Sequence, residues 1–201
     1  MSKTTIHSQP TSKEARTNSY FPPALCCRIT DMIRHLSIVK ALVFGAILAS
    51  ATFAQETFSD PNAAYTFRLP DAKWKLTSKP TAMRPHVEYV FIDRMYGHLE
   101  VRRISVQKAD LLTDIIRQEE EKLQMSLMGY VAGKEENFTG KFRGVVFNFE
   151  YVQGSKPMSG RFYFLRIDDN TVYALRFKGQ KDSVRSIRDQ SDSIARTFAT
   201  R

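Results

Sequence analysis

His86-x-Glu88 and His98-x-Glu100 each place an imidazole and a carboxylate two residues apart. On a strand, residues i and i+2 share a face, and His with Glu is a set that binds zinc. The apolar neighbours test the idea. Val87, Tyr89 and Phe91 share one face of one strand, and Leu99 and Val101 share one face of the next. Directly opposed residues point to the same side of a sheet. Matching the apolar faces therefore sets Phe91 opposite Leu99, Tyr89 opposite Val101 and Glu88 opposite Arg102. His98 then stands opposite Ile92, six residues and about 20 Å of strand from His86. Two ligands of one zinc each lie about 2 Å from it, so these histidines do not share a metal. A solvated strand face is the expectation.

The other chemical motifs have plainer readings. Ser105-Val106-Gln107-Lys108 has the serine-x-x-lysine spacing of penicillin-binding enzymes, but it falls at a strand end and has no Lys-Thr-Gly partner. Asp168 and Asp169 read as turn formers rather than as an acid and base pair. Asn137-Phe138-Thr139 is a glycosylation sequon only in a eukaryotic secretory pathway and otherwise ends a strand. No nucleophile elbow, phosphate-binding loop or dinucleotide fingerprint occurs in the chain. These residues predict no catalytic group, no metal and no cofactor.

One face keeps functional interest. In the last hairpin Arg166, Arg176 and Lys178 share the side that carries Phe162 and Phe164, opposite Tyr163, Leu165 and Tyr173. Cations interleaved with aromatics suit a polar interface with apolar anchors. The other reading is a second core layer under a helix, its long cationic side chains reaching out to water.

The elements that must position these residues follow from periodicity. Ala64–Leu69 alternates and ends at Pro70, giving a first strand, and a loop with Pro80 and Pro85 follows. The 87–91 and 99–101 strands come next. The apolar phase then switches after Arg102-Arg103 to Ile104 and Val106, which predicts a bulge. Leu111, Leu112, Ile115, Ile116, Leu123 and Leu127 recur at helical spacing. Asp110 is the expected N-cap, Gly129 the stop, and Glu119-Glu120-Glu121 the more solvated side. Strands resume at Tyr130–Thr139, Phe142–Val152, Gly160–Ile167 and Thr171–Lys178. In the last pair Tyr163 faces Leu175 and Leu165 faces Tyr173 across Asp168-Asp169-Asn170, with Asn170 in the left-handed position. Val184, Ile187, Ser191, Ile194 and Phe198, spaced 3, 4, 3, 4, predict one closing helix capped by Asp182. The result is an α+β fold, an antiparallel sheet of six to seven strands covered by two amphipathic helices.

Ahead of the domain, Met32–Ala54 has the pattern of a secretory signal peptide. Arg34, His35 and Lys40 form its basic end, Ala41–Ala49 its apolar stretch, and cleavage after Ala54 fits better than after Ala51. The run Ala41–Ala54 has 14 residues, short of the about 20 that a bilayer span needs. Met1–Asp31 is polar with three prolines and is read as disordered or as preceding the true start at Met32. Both cysteines, Cys26 and Cys27, lie there. The 147 residues from Gln55 are expected to form one domain without thiol chemistry or disulfides.

The whole chain has 201 residues, with 30 Lys+Arg against 21 Asp+Glu and a formal charge of +9. Six basic and two acidic residues precede Gln55, which leaves 24 against 19, or +5. That mild excess lacks the dense basic face of a nucleic-acid binder. It suits attraction to an acidic surface or an envelope protein.

Pro70-x-x-x-Trp74, the mid-chain helix, the long β-meander and the closing Ser191-Asp192-Ser193-Ile194-Ala195-Arg196-Thr197-Phe198 resemble the superfamily of the photosystem PsbP proteins and the Ran-binding Mog proteins. The resemblance spans nearly all of the chain from Gln55. It implies a non-catalytic, exported accessory or protein-binding domain, and carries over no functional residues because no partner-binding motif of the superfamily matches. The other function class is a small-ligand carrier or weak hydrolase on a cone-like α+β fold, with its pocket between helix and sheet.

Overall fold

Near-continuous apolar runs such as Phe162–Leu165 and Val172–Leu175 make both faces of one sheet apolar over much of their area. The computed structural model describes residues 55–201. The expected signal peptide and the segment before it lie outside the described residues. Seven strands, β3 (Trp74–Ser78), β4 (Val87–Phe91), β5 (Asp93–Ser105), β6 (Val131–Thr139), β7 (Arg143–Gln153), β8 (Lys156–Arg166) and β9 (Thr171–Gln180), form an antiparallel sheet in the order β3-β4-β5-β9-β8-β7-β6. A second sheet joins β1 (Glu56–Ser59), β2 (Tyr65–Leu69) and β10 (Ala199–Thr200) in the order β1-β2-β10. Three helices are described: α1 (Leu112–Ser126), α2 (Lys181–Ser186) and α3 (Arg188–Thr197). None is long and apolar enough to cross a membrane.

Each face of the large sheet carries a core. On one face Val87, Tyr89, Leu99, Val101, Tyr163, Leu165, Leu175 and Phe177 meet Phe58, Tyr65, Phe67 and Leu69 of the small sheet and Ile187, Ile194 and Phe198 of the C-terminal helices. On the other, Ile115, Ile116 and Leu123 of α1 cover Phe147, Phe149, Phe162, Phe164, Val172 and Ala174. The one-residue offset between Phe162 and Tyr163, or Ala174 and Leu175, is the pleat distributing side chains to opposite sides. The expected register of the last hairpin, Tyr163 with Leu175 and Leu165 with Tyr173, is the observed one.

Several expectations are corrected. The β4–β5 register is shifted by two: Tyr89 pairs with Leu99, Val87 with Val101, and Glu88 with Glu100 rather than Arg102. Phe91 pairs with Asp93 and Val90 with His98, so Arg94–Gly97 are extra residues that bulge out. The Asp93 carboxylate gathers that bulge by accepting from the amides of Met95 and Tyr96 at 2.8 and 2.7 Å. An even shift keeps every side chain on its face, which is why the apolar pattern could not distinguish the two registers. No bulge occurs at Arg102-Arg103, where β5 pairs with β9 continuously from His98 to Ser105. The phase changes there because the buried side changes: Leu99 and Val101 pack in the first core, and Ile104 and Val106 against the second.

Leu111, not Asp110, is the N-cap of α1 and makes no side-chain cap bond. Asp110 instead accepts from the Gln107 amide at 2.7 Å. Gly129, at φ +62°, lies beyond the helix end, which Leu127 caps. The closing helix is two, broken at Ile187 (φ −99°, ψ 15°), and Asp182 pairs with Arg185 at 2.9 Å rather than capping. Asn170 is not among the residues with positive φ; its amide donates to Asp168 at 2.7 Å, so the aspartate side chain closes the turn. Strands β1 and β3 went unexpected, because each buries a single side chain, Phe58 and Trp74, and so shows no alternation.

Candidate functional site

In the observed register His98 lies opposite Val90, four residues from His86 along β4 and its approach, or about 14 Å of strand. The two imidazoles are again too far apart for one zinc. Among the described residues no group of three His, Asp or Glu side chains could hold a metal. Instead His98 Nε2 lies 3.0 Å from Glu88, and Arg94 donates to the same carboxylate at 2.6 Å. Lys108, the lysine of the serine-x-x-lysine motif, forms an exposed ion pair with Asp169 at 3.0 Å.

Arg166, Arg176 and Lys178 do share a sheet face, as expected, but they do not form one cluster. Arg166 pairs with Val172, four residues from Arg176 on β9, so about 14 Å of strand separates them. The Arg166 guanidinium donates to the Asp110 carbonyl ahead of α1. Arg176 is only 7% exposed. Its guanidinium lies over the Phe162 ring at 4.7 Å and is ion-paired to Glu100 at 3.5 Å and to Glu119 of α1. Glu119 thus faces the sheet, not solvent as expected for the Glu119–Glu121 run. Lys178 is half-buried opposite His98.

These residues form cross-strand rungs, Glu88–Glu100–Arg176 and Val90–His98–Lys178. Opposed carboxylates repel. Here Arg94 offsets Glu88, which also meets the His98 ring at 3.0 Å, while Arg102, at 2.7 Å, and Arg176 offset Glu100. Burial alone would raise the Glu100 carboxyl, but the hydrogen bond and charge of Arg102, with Arg176 and Lys178 behind them, hold it below its usual range. The aromatics of this face, Phe162 and Phe164, are fully buried under α1. The rungs are therefore a charge-balanced layer beside a core.

A second set of cations, exceeding by one the carboxylates that pair with them, gathers on the opposite side of the sheet. A groove of about 310 Å³ runs between α2 and strands β6–β8, lined by Lys134, Arg161, Lys181, Arg185 and Arg188 with only Glu136 and Glu150 as carboxylates. At its base Arg161, 6% exposed, donates to the Tyr163 hydroxyl at 2.7 Å, to Asn148 Oδ1 at 2.8 Å and to Asp192 at 3.0 Å. Tyr163 in turn donates to Asp192; burial first, and that carboxylate second, push its hydroxyl pKa up. This network holds the guanidinium still and ties β8 to α3. Arg188 reaches Glu136 at 3.2 Å and Lys181 reaches Glu150 at 2.8 Å, so the wall cations are held across the groove. Lys134 and Arg185 are exposed at its lip.

Sequence reasoning missed this groove because its cations come from β6, β8, α2 and α3. One signal was present. Arg161 occupies the same phase as Tyr163 and Leu165, a charge at a core position, and such residues need built partners.

No family model and no curated protein matches the chain by sequence. Among solved structures, a Bacteroides thetaiotaomicron protein superposes with a TM-score of 0.51 at 13% identity, over 73% of this chain and 48% of that one. This chain thus spans about half the length of the Bacteroides protein. The cyanobacterial PsbP protein of Synechocystis gives 0.51 at 13% identity over 77% of this chain and 99% of its own. The fold is PsbP/Mog-like. The Ran-binding protein Mog1p of Saccharomyces cerevisiae superposes on the same PsbP/Mog-like domain with a TM-score of 0.51, at 11% identity over 73% of this chain and 95% of Mog1p.

Proposed function

We propose that this PsbP/Mog-like domain is an exported, non-enzymatic accessory domain that binds an acidic segment of a partner protein in the cell envelope, with the groove beside α2 as the binding surface. The groove carries the reading: its five cations exceed by one the four carboxylates that pair with them, Glu136, Glu150, Asp182 and Asp192, and one guanidinium is pre-set by a buried network. Pre-set donors bind anions at lower entropic cost than free side chains, and arginine suits carboxylates through its planar fork. Mog1p, of the same fold, is a Ran-binding protein, which supports a protein as the ligand. The pattern of Met32–Ala54 supports export.

Two experiments test the two halves. Intact mass of the protein from the cell envelope is expected to give a chain starting at or near Gln55, and Met1 or Met32 at its N-terminus would contradict export with cleavage. Capture of the partner from the envelope is expected to fall for Lys134→Glu and Arg185→Glu, both exposed and therefore compatible with folding. Undiminished capture by both variants would contradict the groove.

A further inference from the structure

A second cavity, of about 270 Å³, lies where the Arg94–Gly97 bulge meets β9 and the joined ends of β7 and β8. Met95, Tyr151 and Met158 give it apolar wall, and Lys178 lines it from β9, where it stands between His98 and Gly160. Lys178 is the fourth cation among three carboxylates, and each carboxylate is already held: Glu88 by Arg94 at 2.6 Å, Glu100 by Arg102 at 2.7 Å and Glu119 by Arg176. The amine is therefore half-buried with no ion pair and no hydrogen bond among the described residues. It is still open to a ligand, since the side-chain nitrogens sealed from water without a partner are those of His86 and Arg176. A half-buried ammonium that lacks an acceptor and is flanked by guanidinium groups gives up its proton more readily than an exposed one. Burial first, then Arg176, with Arg102 and Arg94 behind it and Glu100 acting against them, lower the Lys178 pKa. His98, the titratable neighbour across the rung, is held neutral at pH 7 by its own burial.

We propose that this cavity is a covalent binding site for a small neutral aldehyde, with Lys178 as its nucleophile. The Nζ lone pair bonds to the carbonyl carbon. The two N–H hydrogens and the carbonyl oxygen then leave as one water, and a C=N bond remains, so no oxidant or reductant is needed. The Tyr151 hydroxyl lines the same cavity, has no partner among the described residues and is kept protonated by burial, so it is the donor available to the departing oxygen. The flexible Met95 and Met158 side chains suit an alkyl chain. A negatively charged aldehyde would hold Lys178 protonated, whereas a neutral one leaves the amine free to react. The cavity shares the sheet face of α1, through Tyr151 and Met158 of the second core, and is separate from the groove beside α2. It does not depend on the protein-binding reading.

Butanal tests the proposal on the full chain, with cyanoborohydride present to reduce the imine to a stable amine and peptide mass spectrometry to follow each lysine. At pH 7 Lys178 is expected to be alkylated about tenfold faster than Lys134 and Lys141, which are exposed and have no ion pair among the described residues, since each unit of lowered pKa frees about ten times more amine. Its rate should level off as butanal is raised, because binding precedes bonding. The lead should close near pH 10, where ordinary lysines, of pKa about 10.4, lose their protons as well. Arg94→Gln, at an exposed position, removes one flanking cation and frees Glu88, and should slow Lys178 severalfold while leaving Lys134 unchanged. Alkylation of Lys178 no faster than that of Lys134 and Lys141 at pH 7, a rate strictly proportional to butanal, or an unchanged Lys178 rate in Arg94→Gln would each overturn the assignment.

Discussion

Trp74 shows how one side chain joins layers of this molecule. It is 2% exposed, packs at 5.3 Å from Phe91 and 6.0 Å from Phe177, and its indole N–H donates to Gln190 of α3 at 2.9 Å. Trp74→Ala is expected to cost about 3 to 5 kcal/mol in denaturant unfolding, the range for a buried aromatic cut to alanine; a loss below about 1 kcal/mol would contradict that packing. His98 makes a pH-dependent contribution. Burial is the main cause that holds its pKa below the ordinary 6.5, with the Glu88 hydrogen bond acting against it. The unfolded chain then binds a proton that the folded one refuses, so stability is full above about pH 6.5 and falls as pH drops below it. Glu100, also depressed, adds a loss that begins lower, as pH falls below its ordinary 4.5. Stability measured between about pH 7 and 5 should decline for the wild type and decline less for His98→Asn. Equal slopes would exclude His98 as the source.

At the scale of elements, the β7–β8 pair depends on an absent side chain. Gly160 pairs with Phe149, whose ring covers it so closely that a Cβ would lie 2.1 Å from Cζ. Gly160→Ala should destabilise by about 1 to 3 kcal/mol as the ring is displaced from the second core; a neutral substitution would mean that Phe149 repacks freely. Elements with long periodic runs, β7 to β9 and α1, were legible in the residues because many positions voted for one period. Elements resting on one buried side chain, such as β1 with Phe58 and β3 with Trp74, were not. The 3, 4, 3, 4 spacing from Val184 to Phe198 named the buried residues of the C-terminal segment correctly, since all five are buried. It was blind to the break at Ile187, because a short interruption leaves the inward residues inward.

For the whole molecule, the two-faced sheet accounts for what was legible about the site. Periodicity located Arg166, Arg176 and Lys178 on the correct face, but which face a helix covers, and how far, is decided by packing of distant segments. α1 covers Phe162 and Phe164 and draws Arg176 into ion pairs with Glu100 and Glu119. The groove cations gather on the other side, from segments as far apart as Lys134 and Arg188, where no local pattern could join them. Binding driven by that groove should weaken with salt, because the Debye length shrinks from about 10 Å at 0.1 M to about 3 Å at 1 M. Salt-insensitive capture would remove the electrostatic mechanism. The most direct test of the groove as the binding surface is photo-crosslinking in the envelope, with the reactive side chain placed singly at Lys134, Arg185, Arg94 or Lys75. The account predicts crosslinks to one partner from Lys134 and Arg185 and none from Arg94 or Lys75; the reverse pattern would contradict it.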